Sequence, residues 1–192
     1  MKTKQIILYF SFCISILFLA LILSCNTDTE NPTRDKEELS FPFSSTRINL
    51  DSLTEYNPFN ISTKEITPKP YYTIITYINV SCSVCIAEID KWNEFFDTAS
   101  NGNLQIKLIF YSEDKFEYIK YLSETNGIKK FPFPFYLDNK ETFAIKNPIF
   151  KDKTVDKTIL INKNGNIVLI GNPLHSKEIE SKYLNKIQQK NN

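Results

Sequence analysis

Two cysteines three positions apart, Cys82 and Cys85, carry the clearest potential for chemistry in this 192-residue chain. A thiolate attacks a disulfide sulfur and forms a mixed disulfide, which a second thiol one helical turn away resolves. Cys82-Ser83-Val84-Cys85 has the spacing for this, with Cys82 as nucleophile and Cys85 as resolving thiol. The chain has four cysteines in all. Cys13 lies inside an apolar N-terminal run and Cys25 ends it, so removal of the run and modification of Cys25 would leave only the CxxC pair. That count excludes a disulfide-rich framework. A purely structural disulfide and a metal site are the alternatives for the pair.

The N-terminus reads as an address. Lys2 and Lys4 precede an uncharged stretch from Ile6 to Leu23, as in a signal-peptide n-region and h-region. The stretch ends in Leu21-Ile22-Leu23-Ser24-Cys25, which resembles a bacterial lipoprotein box. The resemblance implies cleavage before Cys25 and diacylation of its thiol. Acyl chains hold a protein to a bilayer with about 0.8 kcal/mol per buried methylene. An uncleaved transmembrane helix is the other reading of the run. Both place the remainder outside the cytoplasm, where disulfides persist. The expected organisation is a signal peptide over 1–24, a flexible polar tether over 25–45 and one folded domain over 46–192.

The elements that must position the cysteines follow from periodicity. Tyr71 to Val80 is nearly continuous in β-branched and aromatic residues, as a buried central strand should be. After the CxxC, Ile86, Ile89, Trp92 and Phe96 recur at helical spacing, with Glu88, Asp90, Lys91 and Glu94 opposite. The pair therefore lies at a strand-to-helix junction. There, unpaired N–H groups and the positive end of the helix dipole favour a thiolate on the first cysteine. A strand is expected over Leu104–Tyr111, then a helix over Asp114–Glu124 ending at Asn126-Gly127. A short strand over Phe133–Leu137 and a short helix over Lys140–Lys146 come next. Strands over Thr158–Asn162 and Asn166–Ile170 are joined by a Lys163-Asn164-Gly165 turn, and a helix covers Ser176–Gln189. Arg47–Leu50 reads as a further short strand. Parallel units first and an antiparallel hairpin last give an α/β fold, with a mixed central sheet flanked by helices.

This arrangement resembles the thioredoxin-like superfamily, and most of all its membrane-attached TlpA/ResA-type redoxins. The residues that carry the resemblance are the Tyr71–Val80 strand, the CxxC opening a helix and the segment Phe133-Pro134-Phe135-Tyr136-Leu137-Asp138. The hairpin Ile159-Leu160-Ile161-Asn162-Lys163-Asn164-Gly165-Asn166-Ile167-Val168 completes them. The likeness covers about Tyr71 to Leu184. It implies a thiol–disulfide oxidoreductase that exchanges with protein thiols and disulfides, draws on a membrane or periplasmic electron donor and needs no cofactor. The expected location is the cell envelope, on the inner or outer membrane. The alternatives are a non-catalytic binding or assembly lipoprotein on the same scaffold, and a peroxide-reducing enzyme.

Three positions depart from the family pattern. Ser81 stands where an aromatic residue usually precedes the first cysteine. Thr76 stands where thioredoxin itself has a buried acid. Asp156 stands at the usual cis-proline, and a cis bond without proline costs about 3 kcal/mol. A nearby Asp156 would raise the thiol pKa, and a nearby Lys157 would lower it.

The remaining residues point elsewhere less strongly. Net charge is +1, which gives no reason to expect nucleic acid as a partner. His175, the single histidine, reads as an exposed or helix-start residue, and Trp92 as core. Phe131-Pro132-Phe133-Pro134-Phe135 reads as a loop entering a buried strand, and Lys151-Asp152-Lys153 as a solvated loop. No phosphate-binding loop, Ser/His/Asp set or zinc ligand pattern is present.

Overall fold

The computed structural model describes residues 47–62, 70–99, 102–151 and 157–188. The apolar N-terminal run, Cys13, Cys25 and the tether lie outside the described residues, as does Asp156. Among the described residues, six strands form one sheet in the order β1-β4-β3-β2-β5-β6. They are β1 Thr54–Tyr56, β2 Tyr72–Asn79, β3 Leu104–Tyr111, β4 Phe135–Leu137, β5 Thr158–Asn162 and β6 Ile167–Ile170. β2 pairs in parallel with β3, and β3 with β4. β5 runs antiparallel to β2, β6 to β5, and β1 to β4. The sheet is therefore mixed, as the element order requires.

The helices are α1 Ser83–Ile86, α2 Glu88–Ala99, α3 Glu117–Glu124, α4 Phe143–Lys146 and α5 Lys177–Gln188, with a 3-10 turn at Pro148–Phe150. Alternation along β2 sends its side chains to two cores. Ile74 and Ile78 join a large cluster with Trp92, Leu108, Phe110, Phe131, Phe135 and Tyr183. Ile75 and Tyr77 join a smaller one with Ile109, Phe143, Phe150 and Ile159. β2 is thus buried on both faces, which is why its sequence runs almost without polar relief.

Local chemistry sets the element ends. Asp138, almost fully buried, accepts from the backbone N–H groups of Thr142 and Phe143, each at 3.0 Å, and from the Tyr77 hydroxyl at 3.0 Å. That carboxylate starts α4 at Phe143, later than the expected Lys140. α3 closes as expected: Asn126 takes the left-handed turn at φ 57°, and the Gly127 N–H donates to Leu122 O at 2.7 Å. A Cβ at 127 would come within 2.6 Å of Leu122 Cδ2, so any other residue there would require that side chain to shift. In the hairpin, Gly165 adopts φ 84° and its N–H donates to Asn162 O at 2.9 Å.

Three expectations are corrected. Arg47–Leu50 is not a strand; Arg47 makes a single antiparallel bridge to Asn166. The extra strand is β1, three residues long on the sheet edge and too short and exposed to show a period of two. The helix expected from Asp114 begins at Glu117, because Lys115 and Phe116 have φ 57° and 68°, outside helical geometry. The helix after the cysteines is also broken, at Ala87, into α1 and α2.

Candidate functional site

β2, an interior strand, delivers the chain to Cys82 just past its C-terminal end. The residue before it is held firmly. The Ser81 N–H donates to Asn79 Oδ1 at 3.0 Å, and Ser81 Oγ accepts from the Glu113 N–H at 2.8 Å. Ser81 Oγ also lies 3.3 Å from Ser112 Oγ. At the position of the usual aromatic residue, this chain uses a hydroxyl that fastens the CxxC approach to the loop after β3.

Cys82 then occupies the N-cap of α1, with extended backbone at φ −105° and ψ 115°. Its carbonyl accepts from the Ile86 N–H at 3.0 Å, so the first turn closes over the pair. No side chain caps the turn. The Cys82 thiol is held below the ordinary thiol range, first by the Cys85 thiol donating to it and then by the backbone N–H groups of Cys85 and Val84. Burial and the Glu88 carboxylate work against this. The Cys85 thiol is pushed up to about 11 by burial, by its hydrogen bond to Cys82 and by the charges of Cys82 and Glu88. The two thiols thus differ in direction: Cys82 is lowered and Cys85 is raised. Both are free thiols, each partly exposed.

The expected dipole argument is modified. α1 has four residues and ends before α2 begins, so a long helix dipole is not what faces Cys82. The stabilising donors are the local N–H groups and the neighbouring thiol.

The other singled-out residues fall as follows. Thr76 is buried on β2, opposite Thr158 of β5 in register, and their hydroxyl oxygens lie 2.8 Å apart. A neutral hydroxyl pair therefore fills the position where thioredoxin itself has a buried acid. The Lys157 ammonium is engaged by the aromatic rings of the sheet, 3.2 Å from the Tyr111 hydroxyl and 4.8 Å from that ring's centre. Trp92 is fully buried, in edge contact with Phe95. Phe131, Phe133 and Phe135 are buried as well, so that stretch enters the core. His175 is half exposed, as expected, yet its Nε2 lies 2.7 Å from Glu88 Oε1.

Sequence reading missed Glu88. Its spacing, three residues after Cys85, was the available signal. It also missed Ser112 and Asp114, whose roles depend on a loop conformation. Among the described residues no group of histidine, cysteine and carboxylate side chains could hold a metal ion. No helix there is long and apolar enough to cross a membrane.

Comparison with protein-family models gives no match, and comparison with the curated proteins gives none either. Solved structures do match. The N-terminal domain of PilB from Neisseria gonorrhoeae aligns with a TM-score of 0.51 at 18% identity, covering 77% of this chain and 95% of that one. A thiol-disulfide isomerase from Corynebacterium glutamicum aligns with a TM-score of 0.51 at 16% identity, covering 74% and 95%. A thioredoxin-like protein from Porphyromonas gingivalis aligns with a TM-score of 0.47 at 16% identity, covering 64% and 78%. At such identities the likeness is one of fold. Parallel β2-β3-β4, the antiparallel β5-β6 hairpin and helices around one mixed sheet make this the thioredoxin-like fold that the sequence resembles.

Proposed function

We propose that this chain is a thiol–disulfide oxidoreductase of the cell envelope, anchored by lipid on Cys25, with Cys82 as nucleophile and Cys85 as resolving thiol. The observation that carries the reading is the division between the two sulfurs at the end of β2. Cys82 is partly exposed and lowered by the Cys85 thiol and the local N–H donors; Cys85 is raised to about 11. A nucleophile that ionises readily and a partner that keeps its proton until needed are what a two-step exchange requires.

The Cys82 thiolate attacks one sulfur of a substrate disulfide, which leaves the other as thiolate. Cys85 loses its proton and attacks Cys82 in the mixed disulfide. The substrate leaves as a dithiol, and the protein is left with a Cys82–Cys85 disulfide. An envelope electron donor then returns two electrons to the pair. Val84, between the cysteines, is exposed, so an apolar contact is offered to a protein substrate beside the reacting sulfur. One structural neighbour, from Corynebacterium glutamicum, is a thiol-disulfide isomerase, which agrees with this class of reaction.

The test is equilibration of the protein with glutathione buffers, followed by trapping. A reversible two-electron couple is expected, and Cys85→Ala should accumulate mixed disulfides with envelope proteins through Cys82. Absence of both would rule the reading out. Labelling with a lipid precursor, lost in Cys25→Ser, tests the anchor.

A further inference from the structure

His175 and Glu88 meet across 87 positions of sequence, at 2.7 Å between Nε2 and Oε1. Glu88 opens α2, three residues past Cys85. His175 stands in the turn between β6 and α5. That turn is fixed from within: the His175 N–H donates to Asn172 O at 3.2 Å, and the Leu174 N–H to Asn172 Oδ1 at 2.9 Å. The ring is therefore presented to α2 by a tied backbone. Other charges face the same region. Lys91 and Glu94 come from α2, and Lys177 and Glu180 from the start of α5. Lys177 and Glu180 hold each other at 2.6 Å, while His175 Nε2, which also lies 3.5 Å from Asn172 Nδ2, meets the Glu88 carboxylate.

We propose that His175 is a positioning residue for the thiol pair, acting through Glu88: it fixes the carboxylate beside the CxxC and offsets its charge when the imidazole is protonated. The proposal rests on the exchange reading for Cys82 and Cys85. Its physical basis is short. A carboxylate next to a sulfur disfavours the thiolate, and both thiols feel Glu88 in that sense. An imidazolium in contact with the carboxylate cancels part of its field, whereas a neutral imidazole does not. Solvent reaches the His175 side chain, so screening keeps the effect modest.

The experiment measures iodoacetamide labelling of Cys82 against pH in the reduced, detergent-solubilised full chain, with sites resolved by peptide mass mapping. His175→Gln is expected to move the profile up in pH, slowing labelling at neutral pH by about threefold, equal to a shift of about half a unit. His175→Lys, which keeps a cation, restores the profile. Glu88→Gln moves it down, and Glu88→Gln with His175→Gln matches Glu88→Gln alone, because the histidine acts only through the carboxylate. A profile that His175→Gln leaves in place or moves down overturns the proposal, as does a double variant that departs from Glu88→Gln. A glutathione titration of the unaltered protein keeps the two readings apart. If no reversible disulfide forms, the exchange reading fails while the labelling profile still decides the role of His175. If a disulfide forms and the profile does not respond, the role of His175 alone is lost.

Discussion

β2 and β3 run side by side in parallel, pair from Tyr72–Leu104 to Asn79–Tyr111, and each ends in a turn that starts a helix. At the β3 end, the turn is closed by its own side chains. Asp114 accepts from the N–H groups of Phe116 at 3.1 Å and Tyr118 at 3.1 Å, and the Ser112 hydroxyl donates to Asp114. Ser112 Oγ also accepts from the Asp114 and Phe116 N–H groups. At the β2 end, no side-chain oxygen caps the turn, and the Cys82 thiol there is lowered first by the Cys85 thiol and then by the backbone of Cys85 and Val84. One junction satisfies its donors with hard oxygen acceptors. The other has a polarisable sulfur at the N-cap, whose lone pairs could act as a nucleophile. The same backbone problem thus meets oxygen acceptors on one strand and a thiol on its neighbour.

Changing the atoms at each junction breaks this contrast. Cys82→Ser turns the reactive junction into a capped one. Thiol exchange is lost completely in a glutathione-coupled assay, while stability of the reduced protein in urea holds or rises by up to about 1 kcal/mol, the worth of a good N-cap. Asp114→Ala removes the oxygen cap at the other junction. It should cost about 1–2 kcal/mol in urea, and Cys82 labelling should stay within about twofold.

The contrast is sharpened by pH. Cys82, held low by its donors, is labelled below the ordinary thiol range, whereas Cys85 reacts only as pH approaches about 11. Labelling followed from pH 5 to 11 should resolve two separate rises, and a single shared rise would remove the division of roles. Asp114 gives a signal of its own. Hydrogen bonds from Ser112 and the backbone hold its carboxyl below the ordinary carboxylate range. A lowered folded pKa means a stabilisation present above about pH 4 and lost as pH falls further. That acid shoulder in a denaturation profile should vanish in Asp114→Asn. The smallest effect is at Lys115, exposed and held at φ 57°. Lys115→Gly relieves left-handed strain and should add about 0.5 kcal/mol, net of the extra entropy glycine loses on folding.

Much of the fold was legible because it depends on local pattern. The apolar run of β2, the 3.6-residue recurrence from Ile86 to Phe96 and the Lys163-Asn164-Gly165 turn each mark their element within a dozen residues. β1 was not legible, because three residues, two of them exposed, carry no period and owe their strand state to the edge of β4. The delayed start of α3 was hidden too. Lys115 and Phe116 take left-handed backbone only because Ser112 and Asp114 hold the turn.

The candidate site divides along the same line. Residue type and spacing alone mark Cys82 and Cys85 as a thiol pair at a strand-to-helix junction, because sulfur chemistry and a one-turn separation are written in consecutive residues. The groups that lower Cys82 are its own neighbours Cys85 and Val84, but what surrounds the pair was decided by contacts between distant segments. Ser81 meets Glu113 and Ser112 across neighbouring strand ends, Thr76 meets Thr158 across the sheet, and His175 reaches Glu88 from the far side of the hairpin. Electrostatic fields act through space, so their sources are fixed only when the chain has folded.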